Sequence, residues 1–500
     1  MPELPYLQKG LEHPNKSAII DSRGAWTYAE LAENVDSAAC ALAGAEDSIE
    51  GERIGIFMDP SKETLAMFFG ILEAGGVAVP LSIFAPAREL AYQVEDAGLK
   101  RLISDPTTHA ERIEETKALG ASFNVSNRLH LLDNSSRRSL ATPSSDAPAV
   151  MLYTSGTTGR PKGVVHSHAS LINQVEVLRE AWQWHDADRL LHCLPLHHVH
   201  GLINGAIGAL WAGAQLRLMP KFDAVDVWRT FSSREATVFY AVPTIYHQLV
   251  EAWEAEDPVV RDPWAQGAAA LRLAVSGSAA LPETLFQRWR LITGQILLER
   301  YGMTEIGMAI SNPYEGERRP GTVGQPLPTM DIRIVDEDGA DLPPEQPGEI
   351  WVRGASLFSE YWQRPEATRD SFRDGYFMTG DIAELRNGYY RILGRASQDI
   401  IKSAGYKISA LEIEEQILSH PSVSEVAVVG VRSEEWGEVI TACVVLRPGE
   451  SMDLKQVRDW CSDKLSAYKH PRRLELRDAL PRNTMGKVIK PQLVTELSQS

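Results

Sequence analysis

Cysteine is scarce in this chain: four in 500 residues, Cys40, Cys193, Cys443 and Cys461, with no C-x-x-C pair among them. That spacing offers neither a zinc ligand set nor a disulfide framework, and it suits a reducing compartment. Long apolar runs are missing too. The stretch from Leu190 to Leu216 lacks Lys, Arg, Asp and Glu, yet its four histidines, four glycines, Asn204 and Gln215 mark it as buried core rather than a membrane span. Positive charge is in deficit: 50 Lys and Arg stand against 67 Asp and Glu, a net charge of −17. Such a surface repels a phosphodiester backbone and excludes general nucleic-acid binding, so an anionic substrate must meet a local basic patch. The opening Met1-Pro-Glu-Leu-Pro has neither a secretory nor an Arg-rich transit pattern, and the expected location is the cytoplasm.

Against these absences one stretch stands out, Tyr153-Thr154-Ser155-Gly156-Thr157-Thr158-Gly159-Arg160-Pro161-Lys162-Gly163. It follows Ala149-Val150-Met151-Leu152, an apolar run that reads as a buried strand. Glycines let backbone N–H groups crowd around an anion, hydroxyls donate to its oxygens, and Lys162 or Arg160 balances its charge. The chemistry is that of a phosphate loop, although the G-x-x-x-x-G-K-[ST] spacing of a Walker loop is not met. A polar Gly-rich turn is the plainer alternative.

Five hundred residues exceed one compact core, so at least two domains are expected. Thr27-Tyr-Ala-Glu30 is a capping box, and Leu31, Val35, Ala38, Ala39 and Leu42 then recur at helical spacing. Arg53 to Met58 reads as a strand, a helix carries Leu65, Phe68, Phe69 and Leu72, and Val77 to Leu81 reads as a strand again. This alternation predicts parallel sheets covered by helices, and Thr237–Val242 and Leu271–Val275 continue it. Ligands of such sheets gather at strand ends. From about residue 322 short strands and turns take over, with Asp338-Gly339 predicting a hairpin. After Arg395 a small α+β unit follows: helix 411–418, strands 426–431 and 439–446, helix 454–465. The expected fold is a large α/β N-terminal domain with layered sheets and a β-rich subdomain, residues 1–396, plus a small α+β C-terminal domain, 397–500.

Further clusters carry possible chemistry. Arg300-Tyr301-Gly302-Met303-Thr304-Glu305 sets an aromatic face, a hydroxyl and a carboxylate close together, as a nucleotide site with Mg²⁺ would need, or as an ordinary loop would show. Ser276-Gly277-Ser278-Ala279-Ala280 is a small-residue turn suited to close approach against a flat base. Gly380-Asp381 and Gly394-Arg395 offer an acceptor and a donor for a ribose diol, and each is equally a turn. Lys487 lies on a Gly-flanked stretch near the C-terminus.

Taken in order, these motifs, with Leu196-His197-His198-Val199-His200-Gly201, Thr379-Gly380-Asp381 and Gly405-Tyr406-Lys407-Ile408, resemble the adenylate-forming superfamily of acyl-CoA synthetases, adenylation domains and luciferases over essentially the whole chain. The runs His197–Leu202, Glu299–Glu305 and Ser403–Lys407 are most similar to malonyl-CoA synthetases. The resemblance implies a ligase that uses ATP and Mg²⁺ to turn a carboxylate into an acyl-adenylate, then passes the acyl group to coenzyme A. It implies Lys487 as the catalytic cation and Glu305 as the Mg²⁺ ligand. Thr154, Ser155, Gly156, Thr157, Thr158, Gly159 and Lys162 would hold pyrophosphate. Tyr301, Gly302, Met303, Thr304 and the turn Ser276, Gly277, Ser278 would hold adenine and phosphate, and Asp381 and Arg395 the ribose. The C-terminal domain would rotate about a hinge near Ser397, Gln398 and Asp399 to bring Gly405 and Lys407 to coenzyme A.

For the acyl group, Arg300 precedes the Tyr301 run and its planar fork suits the distal carboxylate of malonate, with His198 and His200 lining the pocket. A salt bridge to Glu299 is the alternative. One departure from malonyl-CoA synthetases is that Val242-Pro-Thr-Ile-Tyr246 is followed by His247 and Gln248 instead of a basic residue, which keeps methylmalonate or another small acid open. A freestanding adenylation domain is a further possibility.

Overall fold

In the computed structural model the described residues are 5–133, 139–154, 161–403, 406–433, 435–482 and 488–498. The capping box forms as expected. Thr27 N–H donates to the Glu30 carboxylate at 2.7 Å while Glu30 N–H donates to the Thr27 hydroxyl at 3.2 Å, starting the helix Tyr28–Ala43. That helix packs on Lys62–Glu73 so closely that a methyl group on Gly70 would sit 2.5 Å from the Ala38 Cβ. Both helices bury their apolar faces between two large sheets.

One sheet has seven strands, in the order Glu360–Tyr361, Lys162–Ser167, Pro148–Thr154, Val77–Leu81, Arg53–Phe57, Arg101–Ser104 and Asn124–Asn127. Its last five strands are mutually parallel. The other has nine, in the order Gln325–Pro326, Gly307–Ser311, Leu298–Met303, Leu273–Ser276, Val238–Ala241, Arg189–His192, Gln215–Leu218, Ser17–Asp21 and Gly24–Thr27. Six of these, from Leu298–Met303 to Ser17–Asp21, are parallel. Parallel strands covered on both faces need continuous apolar runs, which is why Val-Phe-Tyr-Ala and Leu-Ala-Val-Ser are buried at every position. A single apolar cluster runs from Ile54 and Phe68 through Leu190, Leu273 and Ile310 to Ile350 and Phe377, joining both sheets to a third.

That third sheet is antiparallel, built from Met330–Val335, Gly348–Gly354, Tyr376–Arg386, Phe372–Arg373 and Tyr389–Arg395. Asp338-Gly339 turns the chain as predicted, with Gly339 at φ +85° and the Gly339 N–H donating to the Asp336 carbonyl at 3.1 Å. The reversal only bridges Val335 to Asp341, however, and the hairpin partner of Met330–Val335 is Gly348–Gly354.

The C-terminal unit has the predicted helix Ala410–Leu418, strands Val423–Ser433 and Gly437–Leu446, and helix Leu454–Cys461. It also holds the hairpin Ile400–Ser403 with Tyr406–Ser409, the strand Arg473–Leu476 and the helix Lys490–Ser498, all too short or too polar to stand out by period. Its apolar core, around Ile413, Val428, Ile440 and Val457, is separate from that of the large sheets.

Candidate active site

Parallel strands Leu273–Ser276 and Leu298–Met303 lie side by side, with Ser276 opposite Glu299. Arg300 is therefore carried to the carboxyl end of the sheet, beside the turn that follows Ser276. It is 5% exposed. Gly277 packs on its guanidinium, and a methyl group there would sit 2.5 Å from Arg300 Cζ. Its Nε and Nη2 have no hydrogen-bond partner among the described residues. Burial lowers its pKa to about 10, which still leaves it cationic at neutral pH.

Glu299 does not neutralise it. Successive side chains on a strand face opposite ways, and Glu299 instead accepts from Gly321 N–H at 3.2 Å. In the turn 276–278, expected to accommodate a base, Gly277 makes room for Arg300, and Ser278, at φ +67°, places its hydroxyl 3.1 Å from His200 Nδ1.

His200 opens a π-helical segment, His200–Ile207, that is buried throughout. The wide turn brings Gly201 so near Pro195 that a side chain would meet its carbonyl oxygen at 2.2 Å, and His192 Nε2 lies 2.8 Å from the Gly201 oxygen. π-Helical turns gather at functional sites. His200 stacks near Tyr240 at 6.2 Å between centroids, and its Nε2 has no hydrogen-bond partner among the described residues. Burial, and after it the charge of Arg300, holds the imidazole well below its usual pKa, so it is neutral. His198 lies against His197, centroids 4.1 Å apart, on the turn leading into that segment. His247, at the position that departs from the expected pattern, is half-exposed on helix Pro243–Ala255 and pairs with Glu251 at 3.2 Å.

The Tyr301–Glu305 run is the end of a strand and a turn rather than a free loop. Gly302 is required there: a Cβ would meet the Gly307 carbonyl oxygen at 2.1 Å, beside a register shift in the pairing with Gly307–Ser311. Tyr301 donates its hydroxyl to Asp381 Oδ2 at 2.7 Å, and Arg395, directly across the strand pair from Asp381, brings Nη1 to 3.6 Å from Oδ1. The structure thus brings Tyr301 to Asp381, 80 residues further along the chain, and to Arg395, which faces Asp381 across one hairpin. Met303 is half-buried at the strand end, and the Thr304 carbonyl lies 2.7 Å from His166 Nε2.

Glu305 is buried and accepts from the Tyr361 hydroxyl at 2.9 Å. Lys162 Nζ lies over the Tyr361 ring at 4.7 Å, so the cation closing the phosphate stretch and the expected metal ligand share one neighbour. Thr154 is paired in register with Lys162. Burial raises the Glu305 pKa. Among the described residues no group of three His, Cys, Asp or Glu side chains could hold a metal. A lone buried carboxylate with a lysine close by fits Mg²⁺, which keeps its waters and shares substrate phosphate oxygens.

Ser155, Gly156, Thr157, Thr158, Gly159 and Arg160, Gly405 and Lys487 lie outside the described residues. Lys407 is not brought to this site: its ammonium pairs with Glu337 at 2.7 Å, both exposed. Sequence reasoning missed Tyr240, Tyr361 and His166, single residues without a local pattern.

A family model described as AMP-binding enzyme matches residues 8–362, and one described as AMP-binding enzyme C-terminal domain matches 412–487. The malonate–CoA ligase of Arabidopsis thaliana is 43% identical over 488 residues, covering 90% of this chain and 79% of that protein. Among solved structures, ATP-bound MatB from Rhodopseudomonas palustris is similar with a TM-score of 0.89 and 34% identity, covering 100% of this chain and 99% of that one. A malonyl-CoA ligase ternary product complex with methylmalonyl-CoA and AMP is 38% identical, with a TM-score of 0.70 over 96% of this chain and 100% of that one. These likenesses extend through both the layered sheets and the small C-terminal unit. The chain belongs to the AMP-binding enzyme family and has the adenylate-forming fold.

Proposed function

We propose that the protein is an ATP-dependent, AMP-forming malonate–CoA ligase. A malonate carboxylate oxygen attacks the α-phosphorus of ATP, the bond to the bridging oxygen breaks, and pyrophosphate leaves. The thiol of coenzyme A then attacks the acyl carbon, and AMP departs as the carbon–oxygen bond breaks. The first step brings two anions together, so charge neutralisation dominates its catalytic requirement. In this reading Lys487 bridges the attacking carboxylate and the phosphate, and the stretch from Thr154 to Lys162 holds pyrophosphate. Asp381 and Arg395 hold the ribose and Tyr301 the adenine. Glu305 would hold Mg²⁺, which when bound neutralises phosphate charge. Residues 397–500 act as a mobile domain bringing Gly405 and Lys407 to coenzyme A. The unbridged cysteines favour a reducing compartment such as the cytoplasm, and no helix among the described residues is long and apolar enough to cross a membrane.

One observation carries the substrate: the buried Arg300 guanidinium, two of whose nitrogens have no partner among the described residues. The distal carboxylate of malonate would supply its missing partner, whereas a monocarboxylic acid would leave it bare at a cost of roughly 3–5 kcal/mol, or two to nearly four powers of ten in kcat/KM. Methylmalonate retains that carboxylate and is the second reading, favoured by the related ligase that holds methylmalonyl-CoA.

The test is pyrophosphate release with malonate, methylmalonate, acetate and octanoate. Malonate or methylmalonate should lead by at least about a hundredfold in kcat/KM. Equal values for acetate and malonate would refute the dicarboxylate assignment. Gly277→Ala, which pushes on the guanidinium, should raise KM for malonate about tenfold and leave KM for ATP unchanged.

A further inference from the structure

Asp381 stands on an interruption in the third sheet. Strand Tyr376–Arg386 pairs with Gly348–Gly354 through Met378 opposite Trp351, and the pairing resumes with Ile382 opposite Glu349. Thr379, Gly380 and Asp381 lie between those pairs with only Ile350 across from them, so the ladder on that edge passes them by. Such a bulge leaves backbone N–H groups without ladder partners. Gly380 carries the kink at φ +73°, where an L side chain is strained.

Side chains act where the ladder stops. The Glu349 carboxylate accepts from the Gly380 N–H at 2.9 Å. Thr379 donates its hydroxyl to the Ile350 carbonyl at 2.7 Å, and the same hydroxyl oxygen accepts from the Asp381 N–H at 3.1 Å. Thr379 is 1% exposed, so water would not replace a partner lost there.

The other edge holds different groups. Arg395 Nη2 donates to the Thr379 carbonyl at 3.1 Å, and the Ala396 N–H donates to the Gly380 carbonyl at 2.9 Å. Asp381 is in register with Arg395, but that pairing shifts just beyond, between Ile382 and Ala383. Carbonyls of the bulge are thus tied to the strand Tyr389–Arg395 and its end, while its N–H groups depend on Glu349 and Thr379. Those N–H bonds fix how the peptides on either side of Gly380 are turned, and so where the Asp381 carboxylate points. An acceptor for two hydroxyls must be aimed, because a hydrogen bond weakens steeply with misalignment and an error of about 1 Å costs on the order of a hundredfold in rate.

We propose that Glu349 and Thr379 are positioning residues for Asp381, holding the bulge so that its carboxylate meets the ribose diol of ATP. The inference rests on the reading of Asp381 as the ribose acceptor. Its consequence is selective: a misaimed carboxylate penalises a nucleotide that carries the diol and spares one that lacks it.

The experiment measures kcat/KM for ATP and for 2′,3′-dideoxy-ATP in malonate-dependent pyrophosphate release by wild type, Glu349→Met, Glu349→Gln and Thr379→Val, with melting temperatures alongside. Wild type should favour ATP by at least about tenfold. Glu349→Met and Thr379→Val should shrink that preference about three- to tenfold, by slowing ATP while the dideoxy nucleotide stays within about twofold of wild type. Glu349→Gln keeps an acceptor for the Gly380 N–H and should fall between wild type and Glu349→Met. Thr379→Val keeps the side-chain shape, so it decides the matter if Glu349→Met fails to fold. An unaltered preference in the folded Met or Val variant would overturn the proposal, and so would equal losses with both nucleotides. A wild type that does not distinguish the two nucleotides would instead refute the ribose assignment, and one that releases no pyrophosphate from ATP would refute the ligase reading.

Discussion

Glu299 and Arg300 are neighbours in sequence and strangers in space. Each is buried, and each is perturbed for its own reason. For Glu299, burial comes first and the nearby carboxylates Glu415 and Glu283 add to it, against the favourable Gly321 N–H, raising the pKa from 4.5 to about 8. The folded state therefore holds this proton across a range in which the unfolded chain has released it. The associated stability is complete below pH 4.5 and is lost as pH rises through 8. Glu299→Gln, which retains an acceptor for Gly321, should be near neutral at pH 4.5 and stabilise the fold at pH 8.5 by up to about 4 kcal/mol. Chemical denaturation at the two pH values checks this; equal gains at both would contradict it. Arg300 could be singled out from the sequence because it precedes the Tyr301 run. That it faces away from Glu299 follows from strand alternation, but only the structure establishes a strand through position 300. The bond from Tyr153 to Asp96 was not legible, since nothing in a single helical carboxylate tells which strand it will reach 57 residues later.

Among the elements, the joint between the third sheet and the C-terminal unit is held by charged, largely buried side chains. Asp399 accepts from the Arg395 backbone N–H at 3.0 Å through Oδ2 and from Lys490 at 2.5 Å through Oδ1. Lys490, at the start of the last helix, also pairs with Glu414 at 2.7 Å. Burial opposes the ammonium, but Glu414 and Asp399 outweigh it and raise its pKa. One buried cation thus joins the end of the strand Tyr389–Arg395, through Asp399, to the first C-terminal helix and the segment following Lys487. Lys490→Met should cost roughly 3–5 kcal/mol by leaving two carboxylates without a counter-charge, and a shifted denaturation midpoint with unchanged slope would register it. A change under about 1 kcal/mol would mean that solvent already screens the group. The helix and strand periods predicted most of this unit. The short hairpin Ile400–Ser403 with Tyr406–Ser409 escaped because four-residue strands carry too few alternations to count.

At the scale of the whole molecule, the likeness to the ATP-bound relative is greater in shape than that to the product complex, 0.89 against 0.70, although identity runs the other way, 34% against 38%. Sequence divergence does not order these values. Lys407 pairs with Glu337 rather than with residues of the Arg300 and Tyr301 site. Two arrangements serving two half-reactions predict that Lys487→Ala abolishes pyrophosphate exchange yet still converts supplied malonyl-adenylate and coenzyme A into thioester. Stopped assays of each half-reaction would decide, and parallel loss of both would favour one fixed arrangement. The layered fold was legible because strand and helix periods alternate cleanly through the first three hundred residues. The meeting of Tyr301 with Asp381 and Arg395 was implied by the family resemblance, whereas local spacing carries no trace of a contact across 80 residues.

The buried Arg300 guanidinium at the carboxyl end of the nine-stranded sheet, with two nitrogens that have no partner among the described residues, has a consequence for how this chain can change. A cation short of partners weakens the native state, so replacing it with an apolar side chain of similar bulk is one of the easiest routes to a hardier protein. If Arg300 seats the distal carboxylate as proposed, the same replacement would admit short monoacids. Selection for heat resistance alone would accordingly push descendants toward promiscuity, and variants that survive boiling best should be screened first for lost discrimination.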